Sequence, residues 1–228
     1  MPQHRLLLFG ATGMVGGEAL SIALDHPEVG AVTSLGRRPT GRAHPKLREI
    51  THAAFDDLRP VEAELAGHTA LLFCLGAYTG AVPEDELRRL TVDCAVEAGR
   101  ALRAASPGAA FCLLSGQGAD RSGRARAAFA RFKGEAERAL LAMGFPRIHV
   151  FRPGYIYPVV PRAEPNALYR LSRALWPVLG PLAPNLGVPS RDLAAAMVHA
   201  ALHGTGAHGD PTLENGDIRA LVGQIGQG

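Results

Sequence analysis

The chain has 228 residues, of which 47% are hydrophobic and 20% charged, with a formal net charge of +3. That length suits one α/β domain, the charge is too slight for a nucleic-acid surface, and the composition excludes a disordered chain. No apolar run reaches the roughly eighteen residues of a membrane helix, the start leaves no room for a signal peptide, and Cys74, Cys94 and Cys112 show no ligand or disulfide pattern, so the chain reads as reduced and cytoplasmic.

The first predicted element is a buried strand, Leu6 to Phe9, stopped by Gly10. Gly10, Gly13 and Gly16 then recur at three-residue spacing, and an apolar-periodic segment from Ala19 to Leu24 begins a helix. Strand, glycine turn and helix in this order form a dinucleotide fingerprint. Gly10 permits the tight turn, Gly13 lets the backbone approach a pyrophosphate, and Gly16 lets the helix pack close to its strand. Gly10, Ala11, Thr12, Gly13, Met14 and Val15 are therefore expected around a pyrophosphate, at the positive end of the helix.

Ala31 to Leu35 reads as the second strand. A site that prefers NAD places a carboxylate near the end of this strand to meet the ribose 2′-OH. Here Gly36, Arg37 and Arg38 follow, and no carboxylate occurs from Val29 to Arg48. Guanidinium groups there would bind a 2′-phosphate, so the expected cofactor is NADP(H). A third strand is expected to end near Phe55, with Asp56 placed to meet the adenine amino group. Alternatively, Asp56 and Asp57 simply cap a helix starting near Pro60.

Ala70 to Leu75 reads as a central parallel strand ending in Gly76-Ala77. A helix from about Glu84 to Ala105 leads to strand Ala110 to Leu114 and to Ser115 at its tip. The segment from about Arg124 to Met143 is an amphipathic helix with Phe129, Phe132, Ala136, Leu140 and Met143 on one side. Lys133 lies four residues after Phe129 and projects from the same side. Strand Ile148 to Phe151 and the turn Arg152-Pro153-Gly154 complete a doubly wound parallel sheet of Rossmann type, residues 1–154. Residues 155–228 are expected to form a small C-terminal cap within the same domain. Prolines break its first part, Ala167 to Leu179 is helix-like and suits a lid or a dimer face, and Ser190 caps a last helix to about His203. His199 and His203 stand at a zinc-compatible spacing, but no third ligand is visible and no metal is expected.

The segments FGATGMVG (9–16), SLGRR (34–38), LFCLGA (72–77), LLSGQGAD (113–120), FARFKGEAE (129–137) and FRPG (151–154) together resemble the short-chain dehydrogenase/reductase superfamily. The likeness is to its atypical NADPH-binding branch, related to the Tat-interacting-protein oxidoreductases. It implies that Ser115 holds a substrate carbonyl and that Lys133 binds the nicotinamide ribose. Leu75, Gly76, Ala77, Lys133 and Pro153 then line the nicotinamide end. The family's tyrosine, the general acid, would stand four residues before the lysine, where this chain has Phe129. A phenyl ring donates no proton, and such help is typically worth ~10²–10⁴ in rate.

Three readings follow. The chain is an NADPH-dependent reductase of a small carbonyl compound, with Tyr78, Tyr155 or Tyr157 as donor. Or it binds NADPH without turnover and acts as a regulatory interaction protein. Or it is a sugar-nucleotide epimerase or dehydratase, against which the short C-terminal part argues. Expected partners are a small-molecule substrate or a regulatory protein, with a homodimer as a further option. Neither nucleic acid nor stable membrane insertion is expected.

Overall fold

The computed structural model describes residues 3–77, 82–159, 187–206 and 208–226. Seven parallel strands form one sheet in the order β3-β2-β1-β4-β5-β6-β9. They are β1 (His4–Phe9), β2 (Val29–Gly36), β3 (Leu47–Thr51), β4 (Ala70–Phe73), β5 (Ala110–Leu114), β6 (Arg147–Arg152) and β9 (Thr212–Glu214). The order runs outward in both directions from β1 and β4, the arrangement of a Rossmann-type sheet. A separate pair, β7 (Tyr155–Tyr157) with β8 (Gly187–Pro189), follows the Arg152-Pro153-Gly154 turn.

Strand β1 shows why the sheet sits in the middle. Leu6 and Leu8 join one apolar cluster and Leu7 and Phe9 the other, so both faces are buried and the strand reads as a continuous apolar run. On the first face lie α1 (Met14–Asp25), α5 (Ser190–His203) and α6 (Asn215–Ile225), which supply Leu20, Met197 and Ile218. On the second lie a 3₁₀ turn (Arg59–Leu65), α3 (Cys94–Ala105) and α4 (Ala128–Leu141). A row of rings, Phe9, Phe73, Phe111 and Phe145, runs across this second face with successive centroids 5.7, 6.2 and 5.2 Å apart. His149 on β6 is buried with neither ring nitrogen hydrogen-bonded, and that burial pushes its pKa down to about 4.

Several expected boundaries move, each for a local reason. Strand β3 ends at Thr51 rather than near Phe55, because the His52 ring bonds the carbonyls of Ala54 and Asp57 at 2.8 Å and turns the chain. The helix expected from Arg124 starts at Ala128. The Asp120 carboxylate instead gathers the N–H groups of Ser122, Arg124 and Ala125 into a turn. The long helix from Glu84 is α2 (Glu84–Arg88), a π-helical turn (Arg89–Asp93) and then α3. The C-terminal part is tied into the layers: α5 packs on α1 and β9 extends the sheet. Strand β9 and helix α6 were not expected from the sequence. The Ala167–Leu179 segment lies outside the described residues.

Candidate functional site

The strand order reverses between β1 and β4, and their carboxyl ends open a crevice of the kind where ligands of open α/β sheets bind. Gly10 follows β1 with φ +84°, a backbone conformation that favours glycine, and a Cβ there would lie 2.7 Å from the Cys74 carbonyl oxygen. The first helix approaches more closely still, since a Cβ on Gly16 would meet the Gly10 carbonyl oxygen at 2.2 Å. Gly13 precedes the first residue of α1, and among the described residues no side chain caps that helix and no carboxylate stands in its first turn. The positive helix end thus faces Gly10–Val15 with no built-in anion competing for it.

Arg37 and Arg38 leave the end of β2 exposed, and neither makes a hydrogen bond or ion pair among the described residues. The Glu86 carboxyl lies below its usual range chiefly through its hydrogen bond to Arg89, with a smaller contribution from the charge of Arg37. Asp56 is not open as the sequence suggested. It pairs with Arg89 at 3.1 Å, across to the π-helical turn. Asp57 does not cap the 3₁₀ turn either, whose capping position is Leu58 with no side-chain bond; it accepts from the Arg59 N–H at 3.2 Å and pairs with its guanidinium.

The other end of the crevice is held by β5 and α4. Ser115 and Lys133 come together at the tip of β5: the Lys133 ammonium donates to the Leu114 carbonyl at 2.9 Å. Burial lowers that ammonium to about 8, against the opposing charge of Glu137. Helix α4 comes so near the preceding loop that a Cβ on Gly134 would sit 2.0 Å from the Asp120 carbonyl oxygen. One turn before Lys133, the Phe129 ring covers Gly116, where a Cβ would lie 2.6 Å from its Cζ. The place beside Ser115 is therefore filled by a hydrocarbon ring.

Beneath these residues lies a network that sequence reasoning missed. Glu137 is fully buried, accepts from the Ser115 hydroxyl at 2.5 Å, and pairs with Arg121 at 2.7 Å and Arg152 at 2.5 Å. Arg152 also reaches Glu214, and Arg121 reaches the Thr212 hydroxyl. Burial pushes the Glu137 carboxyl up, yet the bonds from Arg152 and Ser115 outweigh it and leave the group below its usual range. The signal was present as one helical turn between Lys133 and Glu137, which puts both on one side of α4. Pro153 is buried next in line, and the Gly154 N–H donates to the Asn215 side chain at 3.0 Å. Of the tyrosines weighed as donors, Tyr155 and Tyr157 lie on β7, the Tyr155 hydroxyl buried, and Tyr78 lies outside the described residues.

No family model matches the chain. It is 33% identical over 154 residues to the protein fmp52-1, mitochondrial, of Aspergillus oryzae, an alignment covering 65% of this chain and 64% of that one. It is 27% identical over 158 residues to the protein HTATIP2 of Rattus norvegicus, covering 68% and 64%. A crystal structure of a short-chain dehydrogenase/reductase superfamily protein from Agrobacterium tumefaciens, with bound NAD, superposes with a TM-score of 0.67 at 16% identity, covering 98% and 82%.

The chain has the Rossmann-type fold of short-chain dehydrogenase/reductase structures. The structural likeness speaks for the fold, and the two curated relatives are what the chain resembles in sequence. The chain spans just under two thirds of the length of those relatives. The cytoplasmic placement expected from the sequence is overturned by the Aspergillus relatives, which are mitochondrial by name. Among the described residues no helix is long and apolar enough to cross a membrane.

Proposed function

We propose that the chain binds NADP(H), and that it does so without the proton relay of the usual short-chain reductase. The observation that carries the cofactor choice is the pair Arg37 and Arg38, unpaired at the end of β2 beside the glycine corner, with no carboxylate in their place. The residues fit a dinucleotide: a cradle at Gly10, Gly13 and Gly16 that any side chain would fill, and an uncapped helix end. Gly10, Ala11, Thr12, Gly13, Met14 and Val15 would hold the pyrophosphate and Arg37 and Arg38 the 2′-phosphate. Asp56, through its Arg89 pair, borders the adenine side. Leu75, Gly76, Ala77, Lys133 and Pro153 line the nicotinamide side. When bound, the cofactor supplies a hydride; the chain's own residues decide whether a proton can accompany it.

Phe129 has no proton to give, and the Ser115 hydroxyl directs its hydrogen to Glu137. Ser115 thus turns lone pairs, not a donor, toward anything bound above it. Both features favour a cofactor-binding protein whose partner is a regulatory protein. A reductase of a small carbonyl compound is the second reading, favoured by the adjacency of Ser115 and Lys133 and by the buried Tyr155 hydroxyl.

Calorimetric titration with NADPH and NADH in parallel tests the first statement. NADPH is expected to bind about ten-fold or more tightly, with the preference lost in Arg37→Ala, as the loss of one charge-assisted pair predicts. Equal binding of both cofactors would overturn it. Turnover is separable from binding. Phe129→Tyr is expected to raise NADPH-dependent carbonyl reduction by ~10²-fold or more from a negligible base. Wild-type turnover abolished by Tyr155→Phe would instead establish the second reading.

A further inference from the structure

At the opposite end of the sheet from the crevice, histidines from three separate elements converge. His26 is the capping residue just after α1, His203 is the last residue of α5, and Glu28 stands just before β2. Among the described residues these three form a group whose ligand atoms all lie within 4.8 Å of one another. Glu28 Oε1 is 3.3 Å from His203 Nε2. His199, one turn earlier on α5, has its ring centroid 4.9 Å from that of His203, and His4 on β1 is at 6.3 Å. The spacing of His199 and His203 alone offers no third ligand, whereas the packing of α5 on α1 supplies two.

We propose that His26, Glu28 and His203 form a binding site for a divalent d-block cation of the zinc type. Two imidazoles and one carboxylate are a donor set that suits zinc, nickel or copper, and not calcium or magnesium. Two helix carboxyl ends point at the same spot, and each places partial negative charge there. Lys46 and Arg147 work against that field, because they already donate to the carbonyls of His26 and Leu202 at 2.9 and 3.3 Å. Metal–nitrogen bonds of about 2.0 Å require ligand atoms roughly 3.3 Å apart, so the site must contract. Glu28 and His203 are both exposed and can change rotamer to do so. Coordination also gives up the hydrogen bond from the Glu28 N–H to His26 Nδ1. Either the metal takes that lone pair, or Nδ1 gains the ring proton when Nε2 coordinates. At 3.2 Å this bond is at the long end of its range, so little is lost.

The site would clamp the end of α1 to the end of α5, far from the glycine corner. The test is calorimetric titration of the full chain, freed of metal by chelation, with zinc chloride, and with magnesium chloride as control. One saturable zinc site with a Kd below about 10 µM is expected, at least ten-fold weaker in the His26→Gln/His203→Gln double variant. NADPH affinity should be the same in both proteins. Because the chain has other histidines, zinc binding that falls less than ten-fold in the double variant would overturn the proposal. So would the absence of a saturable wild-type site, or equal binding of magnesium. Far-ultraviolet circular dichroism of the double variant shows that it is folded; should it not be, Glu28→Gln at an exposed position carries the same ten-fold criterion.

Discussion

The two ends of the crevice are built from different materials. The corner at Gly10–Gly16 is made of backbone, held by approaches too close for any side chain. The corner at Ser115 and Lys133 is made of side-chain charge, with Glu137 buried between Arg121 and Arg152. The first is a matter of shape and tolerates no added atom. The second is a matter of charge balance, and its parts matter as partners for one another. A shape constraint stays within a few residues of chain, while a charge balance draws on α4, β6, β9 and the loop after β5 at once.

The largest expected effect comes from unbalancing the charged corner. Glu137→Ala leaves two arginines facing a buried hole and should destabilise the protein by about 3–5 kcal/mol in denaturant unfolding. Glu137→Gln keeps hydrogen-bonding capacity and should recover part of that loss. If alanine and glutamine variants unfold alike, or neither loses stability, the charge-balance account of this corner fails.

The next effect is one of pH. His149 is buried without hydrogen bonds and has a pKa of about 4, against an ordinary value of 6.5. The unfolded chain therefore takes up a proton at higher pH than the folded one does. Its contribution is fully present above pH 6.5 and is lost as pH falls towards 4, roughly 3 kcal/mol in all. Glu137, held below its usual range, contributes above the normal carboxylate pKa and loses that contribution in a more acidic window, as pH falls through its folded value. Unfolding of His149→Leu between pH 7 and 4 should slope less steeply than wild type, with the remaining slope left to His4, His26, His68 and His199, whose burial also lowers them. A slope unchanged by the substitution would mean that other groups carry it.

The smallest effect is at the glycine corner. Gly16→Ala forces α1 away from the Gly10 carbonyl at a cost of about 1–3 kcal/mol. No conservative replacement rescues it, and NADPH binding should weaken alongside stability. Binding kept at wild-type strength in Gly16→Ala would separate the shape of this corner from its proposed cofactor role.

The same contrast explains what could be read beforehand. The glycine turn, the central strands and the helix ending at His203 announced themselves through local pattern, because each is fixed within about a dozen residues. Glu137, Arg121 and Arg152 show no joint role in the sequence; what brings them together is the meeting of elements far apart in the chain. Strand β9 is three residues long and showed no periodicity to notice. The shift of α4 to Ala128 came from the Asp120 carboxylate, whose local bonds compete with a first helical turn.

Strand β9 also gives the protein a timetable. Its residues emerge from the ribosome after every other strand of the sheet, yet Thr212 and Glu214 supply contacts to Arg121 and Arg152. A nascent chain can assemble β1 to β6 and the glycine corner early, since domains form from the amino end as synthesis proceeds. The flank of β6 that will meet β9 stays unpaired until Thr212–Glu214 arrives. During that interval the β6 edge lacks its partner strand, and the charged corner lacks its contacts to Thr212 and Glu214.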